Sequence, residues 1–377
     1  MKPKKIVLAP DSFKGTMTSG EVCAIMSQAV KRRFPGCETV KIPSADGGEG
    51  TADSLIESAG GRRVSLDVTG PLGEPTKAFY AVLGDGTAVI ESAAAVGLPL
   101  VEGREDPLAA STRGVGELIA AAVKAGCRNF IVALGGTSTN DGGAGMAHAL
   151  GAVFRAQDGS VITPCGGNLE KIASVDASKL RELVSGCSFT LMCDVDNPLC
   201  GPDGASAVFG PQKGASPEDV KILDAGLRHY AQIIARDTGA DILTLPGGGA
   251  AGGLGAGGAA FLGGVLTPGI EAVLAAAHFD TALEGADMVL TGEGRIDGQS
   301  VHGKTVCGVA RRAAKKGVPV IAVVGDIGPG ADAVYDIGVS AIISINARAV
   351  PYEKARLTAR GDLAFAVDSV MRMAALG

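Results

Sequence analysis

The chain has 377 residues, more than a single hydrophobic core usually holds, so two domains are expected. Its net charge of −6, with no basic cluster beyond Lys2, Lys4 and Lys5 and short helix-face pairs such as Arg311–Arg312 and Lys315–Lys316, argues against nucleic acid as a partner. Glycine supplies 57 residues, about twice the average share of roughly 7%, and the excess falls between apolar runs, which implies many tight loops and not disorder. Aromatics make up only 4% of the chain and Trp is absent, so an aliphatic core built on Ala, Val, Ile and Leu is expected.

Residues 5–69 read as strand, loop, helix, strand, loop, helix, with strands near 5–9 and 38–42 and helices near 18–33 and 50–59. Thr18 or Ser19 can cap the first helix, and Glu21 and Glu49 stand near helix starts. Residues 62–92 read as short strands joined by turns, with a hairpin signal at Gly84-Asp85-Gly86, and a second hairpin is expected around Gln157-Asp158-Gly159-Ser160. Helices are predicted at 114–126, 141–150 and 217–237, and buried strands at 129–134 and 187–193. The end of the chain returns to the opening style. Strands are predicted at 287–291, 318–324 and 339–345 and helices at 303–317, 330–337 and 350–374, the strands apolar throughout as in a sheet covered on both faces. The simplest architecture is α/β with two α/β domains. Residues 1–69 and 285–377 form a flavodoxin-like domain with five parallel strands, and 70–284 form an inserted mixed α/β domain, with the active site in the cleft.

Eight cysteines (Cys23, Cys37, Cys127, Cys165, Cys187, Cys193, Cys200, Cys307) form no C-x-x-C, and none of the four His has zinc-site spacing from a Cys. Most read as small buried hydrophobes in a reducing compartment. The chain enters the strand Ile6-Val7-Leu8-Ala9 without a signal-peptide pattern, and no apolar run is long enough for a bilayer, so a cytoplasmic protein with no membrane partner is expected.

Four glycine-and-acid loops follow apolar runs: Ala9–Gly15, Pro43–Gly50, Gly135–Gly143 and Thr291–Gly298. In a parallel α/β sheet such loops lie outside the carboxyl ends of the strands, where ligands bind. Glycines let amides approach an anion, and carboxylates hold Mg²⁺ or accept a proton, so a phosphorylated ligand is indicated. Lys14 and Arg295 are the leading cation candidates, each in a loop among glycines. Asp194 and Asp196 follow the strand at Phe189–Met192 with the spacing of one strand face; a metal pair, a base with its partner, and an Asx-turn before Pro198 are all open. Asp141 reads as the cap of the helix after Gly143.

Gly298-Gln299-Ser300-Val301-His302-Gly303-Lys304-Thr305 fits G-x-x-x-x-G-K-[ST], but the strand before it ends near Leu290, whereas a P-loop has its first Gly at the strand end. Lys304, in the first turn of a helix, remains a phosphate or carboxylate ligand candidate. The run Pro246–Gly258 contains G-x-G-x-x-G twice with no βαβ frame around it; close backbone packing is the plainer explanation, and a nucleotide-contacting loop is the other.

Taken together, Ala9–Gly15, Ala45–Gly50, Gly135–Gly143, Cys193–Pro198, Phe209–Gly214 and Thr291–Asp297 resemble, in order along nearly the whole chain, the bacterial type I glycerate kinase family. The resemblance implies two domains without a P-loop, and ATP-dependent phosphorylation of D-glycerate with Mg²⁺, mostly at the 2-hydroxyl; the 3-position is the alternative within the family. Such chemistry needs positioning and charge stabilisation. On that basis Lys14, Asp194 and Arg295 are the catalytic candidates. Ser12, Gly47, Gly48, Thr137, Asn140, Asn197, Gly292 and Lys304 are expected around substrate and nucleotide, and Asp46, Asp196 and Glu293 as metal contacts. A phosphatase or mutase on small phosphorylated acids, or a non-catalytic binding protein, could use similar loops.

Overall fold

The computed structural model describes residues 2–44, 50–298, 300 and 305–376. The chain divides into two compact units: Met1–Asp46 with Asp53–Gly60 and Ile270–Gly377, and Gly47–Ala52 with Gly61–Gly269.

The first unit holds a five-stranded sheet in the order Val339–Ser344, Val320–Val324, Met288–Gly292, Lys5–Pro10, Glu38–Lys41. Every adjacent pair is parallel, and the order is that of a flavodoxin-like sheet. Alternate residues of each strand serve opposite faces. Ile6, Leu8, Leu290 and Val323 pack with Val22, Met26 and Val30 of the helix Ser19–Arg33 and with Leu363, Val367 and Met371 of the helix Tyr352–Ala374. Val7, Val289 and Val320 face the other way, against Ile270, Leu274, Val309 and Ala313. Both layers are mainly aliphatic, with Phe13 and Phe34 in one and Phe279 in the other, while the core of the second unit adds Phe130, Phe154, Phe189, Phe261 and Tyr230 to the aliphatic set expected from the sequence. The helix Ser19–Arg33 starts at Thr18 with a capping box: the Thr18 hydroxyl accepts the Glu21 amide, and the Glu21 carboxylate accepts the Thr18 amide.

The second unit holds a six-stranded sheet in the order Val265–Thr267, Ser188–Met192, Asn129–Ala133, Ala88–Glu91, Pro75–Leu83, Gly61–Thr69. The first four strands are mutually parallel; the last two are antiparallel additions. A small antiparallel sheet of Val153–Arg155, Val161–Ile162 and Ser174–Asp176 carries the hairpin expected around 157–160.

The strand Gly61–Thr69 pairs with Pro75–Leu83 from Gly61↔Leu83 to Thr69↔Pro75, which places residues 61–69 in the inserted unit and not, as in the sequence division, with the chain ends. Likewise Ile270 and Leu274 bury against the first sheet, so that unit resumes at Ile270 and not at 285. Both boundaries follow side-chain burial, which strand spacing alone does not reveal.

Candidate active site

In the first unit the loops gather where Lys5–Pro10 and Met288–Gly292 end side by side, Pro10 opposite Gly292. The Asp11 amide donates to the Gly292 carbonyl at 2.8 Å. Phe13, buried, anchors the next turn: its amide donates to the Met17 carbonyl, its carbonyl accepts the Thr16 amide, and Gly15 takes φ +77°. This leaves Ser12 half-buried and Lys14 exposed. Across from them Gly292 has no room for a side chain, since a Cβ there would lie 1.9 Å from the Val323 carbonyl oxygen, and a Cβ on Gly294 would lie 3.6 Å from the Lys14 amide nitrogen. The carboxylate-bearing Glu293 between them is buried.

The structure thus brings Ser12, Lys14, Gly292 and Glu293 to one sheet edge. Arg295, 58% exposed, stands 3.7 Å from both Asp297 and Asp326, so its charge is shared with two carboxylates. Asp11, absent from the sequence-derived set, joins this edge: its Oδ2 accepts the Thr305 hydroxyl at 3.0 Å, and Thr305 Oγ1 also lies 3.0 Å from Ser44 Oγ. That commitment separates Thr305 from a P-loop role. So does the short strand Arg295–Ile296, which pairs with Asp326–Ile327 between the end of Met288–Gly292 and Gly298. Asp46, Gly47, Gly48 and Lys304 lie outside the described residues.

In the second unit the loop Gly135–Gly143 follows the parallel strand Asn129–Ala133. Asp141 organises it. Its Oδ2 accepts the Thr112 amide at 2.7 Å, the Thr112 hydroxyl at 2.9 Å, the Ser111 hydroxyl at 3.3 Å and the Gly145 amide at 3.1 Å, and its Oδ1 accepts the Gly143 amide at 3.1 Å. The N-cap position of the helix Ala144–Ala149 is Gly143, and Asp141, two residues before it, takes the first-turn Gly145 amide and so serves the helix start as the sequence indicated. Complete burial pushes its carboxyl pKa up against those donors. Asn140 donates through Nδ2 to Ser206 Oγ at 2.9 Å, and Thr137 is buried, its main chain bridged to Gly97.

Sequence reasoning left Lys213 out of the site. Its ammonium is buried and donates to the Thr139 carbonyl at 2.7 Å and to Thr137 Oγ1 at 3.4 Å. Burial lowers its pKa to about 7, with the Asp141 charge pulling the other way. A lone Lys in a Gly-Pro-Gln-Lys-Gly turn reads as solvated by default, because buried lysines are rare; its place in the family-like segment Phe209–Gly214 was the available signal.

Asp194 and Asp196 lie past the end of Ser188–Met192, both exposed. Asp194 Oδ1 accepts the Gly269 amide at 2.7 Å. Asn197 is part of the turn's own framework, donating through Nδ2 to the Asp203 carbonyl at 2.8 Å while its carbonyl accepts the Gly249 amide at 3.0 Å. The glycine run beneath it packs as backbone on backbone: a Cβ on Gly257 would lie 2.4 Å from the Gly142 carbonyl oxygen. Among the described residues no three His, Cys, Asp or Glu side chains converge as a metal cage, and Asp196 and Glu293 belong to different units. The described carboxylates therefore make no dedicated all-protein site; a Mg²⁺ ion that brings phosphate oxygens and water with it needs only one or two carboxylates from the protein.

These features define a two-unit α/β protein with glycine- and acid-rich loops at the carboxyl ends of parallel strands. Residues 6–375 match the model of the glycerate kinase family. A Bacillus subtilis (strain 168) protein named glycerate kinase is 48% identical over 353 residues, 93% of this chain and 92% of that one. An Escherichia coli K12 protein named glycerate 2-kinase is 44% identical, covering 90% of each chain. A solved structure from Salmonella typhimurium LT2, named as a glycerate kinase 2, superposes with a TM-score of 0.89 at 44% identity, covering 100% of this chain and 99% of the other. The chain belongs to the glycerate kinase family.

Proposed function

We propose that this protein transfers the γ-phosphoryl group of ATP to the 2-hydroxyl of D-glycerate, giving 2-phosphoglycerate and ADP, with Mg²⁺ accompanying the nucleotide. Family membership over residues 6–375 carries the reading, and the glycerate 2-kinase name of the Escherichia coli relative supports the 2-position. Bound Mg²⁺ would neutralise phosphate charge, with Glu293, Asp46 and Asp196 as its carboxylate candidates.

The chain's own residues supply the rest. Lys14, exposed on an anchored turn, provides a compact point charge for a phosphoryl or carboxylate oxygen, and Arg295 is a second cation held beside Asp297 and Asp326. Ser12 and Gly292 at the same edge, and Thr137 and Asn140 in the second unit, are the proposed contacts for substrate and nucleotide. Asp194, kept in place by the Gly269 amide, is the candidate to accept the hydroxyl proton. All eight cysteines are free thiols, which supports a reducing, cytoplasmic setting. Among the described residues no helix is long and apolar enough to cross a membrane.

The test is turnover of D-glycerate with ATP, followed by ³¹P NMR of the product. A 2-phosphoglycerate resonance is expected. A 3-phosphoglycerate resonance would reassign the position, and undiminished turnover in excess chelator would overturn the Mg²⁺–ATP reading.

A further inference from the structure

Beneath the loop Gly135–Gly143 the protein buries a cation and leaves polar capacity unused. Lys213 Nζ spends two of its three N–H groups on Thr139 O and Thr137 Oγ1 and has no acceptor for the third among the described residues. Thr139 Oγ1, on a residue with no solvent exposure, has no hydrogen-bond partner and keeps its hydroxyl proton to donate. Each such group costs free energy that a purely structural loop would avoid. The outer edge of the same loop is the opposite. Gly135 and Gly136 are exposed, Gly136 takes φ +77°, and neither amide meets a protein acceptor among the described residues. One short segment thus combines glycine amides that lack a protein acceptor with a buried ammonium held on Thr137 and Thr139 two residues on, which makes it electropositive.

We propose that the exposed turn Gly135–Thr137 is an oxyanion site and that Lys213 is its positioning residue, a buried cation that acts on the bound anion through the turn it holds. The anion is the carboxylate of a hydroxy acid or a phosphoryl group of a nucleotide, which share the chemistry the turn recognises. The identity of these ligands rests on the kinase reading; the existence of the oxyanion site does not.

A bound anion favours the charged ammonium, so the site and the Lys213 proton are linked. Of the titratable groups packed around it, Asp141 carries the opposing charge. Tyr230, which shares that buried region and feels Asp141, is held neutral by burial, and Glu105 packs against the backbone at Gly214. The sign follows: anion affinity is highest below pH 7 and falls as pH rises through about 7, where the lowered lysine gives up its proton.

The experiment titrates the full chain with sulfate, which does not itself ionise over this range, and follows the Gly135 and Gly136 amide resonances. Wild type is expected to show saturable shifts at pH 6, weakening about tenfold by pH 8.5. Lys213→Met should bind sulfate at least about tenfold more weakly at pH 6 and lose the pH dependence, and Lys213→Arg should restore part of the affinity. No shift at these amides in wild type, or a pH-independent affinity, overturns the proposal, and this arm decides even where Lys213→Met fails to fold. So does a folded Lys213→Met variant with unchanged affinity. KM values then name the anion: an increase for D-glycerate alone marks a carboxylate, an increase for ATP a phosphoryl group. A wild type that binds sulfate here yet never phosphorylates glycerate would sink the kinase reading and leave the oxyanion site standing.

Discussion

A Cβ placed on Gly252 would lie 2.0 Å from the carbonyl oxygen of Thr139, the same oxygen that accepts the Lys213 ammonium at 2.7 Å. Gly252 also sits at φ +68°, and its carbonyl accepts the Gly142 amide at 3.0 Å. The glycine-rich segment is therefore the floor on which the loop Gly135–Gly143 rests. Gly252→Ala combines a left-handed conformation, costing on the order of 1–2 kcal/mol, with a backbone clash that only a loop shift can relieve. A melting temperature lower by roughly 10 °C is expected, with activity reduced in what stays folded. Calorimetry showing a change within about 2 °C would mean that this floor yields freely.

Lys213 makes stability depend on pH with a definite sign. Its folded pKa of about 7 lies below the ordinary 10.5, so the fold favours the neutral amine. Above pH 10.5 the group is neutral in both states. As pH falls toward 7 the unfolded chain takes up a proton that the folded chain refuses, and stability is lost. Below 7 both states are charged and the loss is constant. The stability of wild type relative to Lys213→Met should therefore improve by on the order of a few kcal/mol from pH 7 to 10. Urea unfolding of both proteins at several pH values measures this, and a difference that does not vary with pH would contradict the lowered pKa.

Three parallel strands of the first unit were legible because each contains an unbroken apolar run, Ile6–Ala9 before Asp11, Met288–Leu290 before Gly292 and Val320–Val324 before Gly325; Glu38–Lys41, Glu-Thr-Val-Lys, carries no such run. The glycine-acid loops were legible for the same reason. The unit boundary at Gly61 was not, because the alternation from Gly61 to Thr69 shows a one-sided strand without showing which sheet it joins; pairing to Pro75–Leu83 decides that. Burial was the other missing quantity. Asp194 and Asp196 share a spacing that suits a strand face, but the strand stops at Met192 and both residues are exposed. Lys213 shows the reverse, a charged residue taken out of water by contacts from the loop Thr137–Thr139 more than 70 residues away, which no local pattern encodes.

Thr305 separates a P-loop from a look-alike. Its hydroxyl joins Asp11 Oδ2 and Ser44 Oγ, each at 3.0 Å, and so holds Asp11 at the sheet edge. Thr305→Ser keeps the hydroxyl and should behave as wild type. Thr305→Ala should cost about 1–2 kcal/mol of stability through the lost hydrogen bonds to a charged partner and lower kcat by less than about tenfold. A P-loop threonine holds the metal on the nucleotide, and its loss would lower kcat by orders of magnitude. A collapse of that size in a variant with a normal melting temperature would restore the P-loop reading.

Lys14 and Asp194 carry the catalytic proposal, and their surroundings make the variants informative. Lys14 is exposed, while the turn that carries it is held by buried Phe13, so Lys14→Ala removes the charge and leaves the anchor. If the ammonium stabilises transferring charge, kcat/KM should fall by on the order of a hundredfold or more, about 3 kcal/mol. Lys14→Arg should rescue poorly, since a planar fork does not replace a compact point charge. Asp194 accepts the Gly269 amide through Oδ1, an interaction that Asn can keep. Asp194→Asn therefore tests the charge alone, whereas Asp194→Ala also removes the acceptor. The proposal expects Asp194→Asn to lose kcat with little change in glycerate binding or melting temperature, and Asp194→Ala to lose both kcat and stability. If the carboxylate only secures Gly269, Asp194→Asn should be nearly normal in every measure and Asp194→Ala should be unstable yet active while folded. Rate constants measured beside melting temperatures for the pair separate these outcomes, and a stable Asp194→Asn variant with wild-type kcat removes Asp194 from the chemistry.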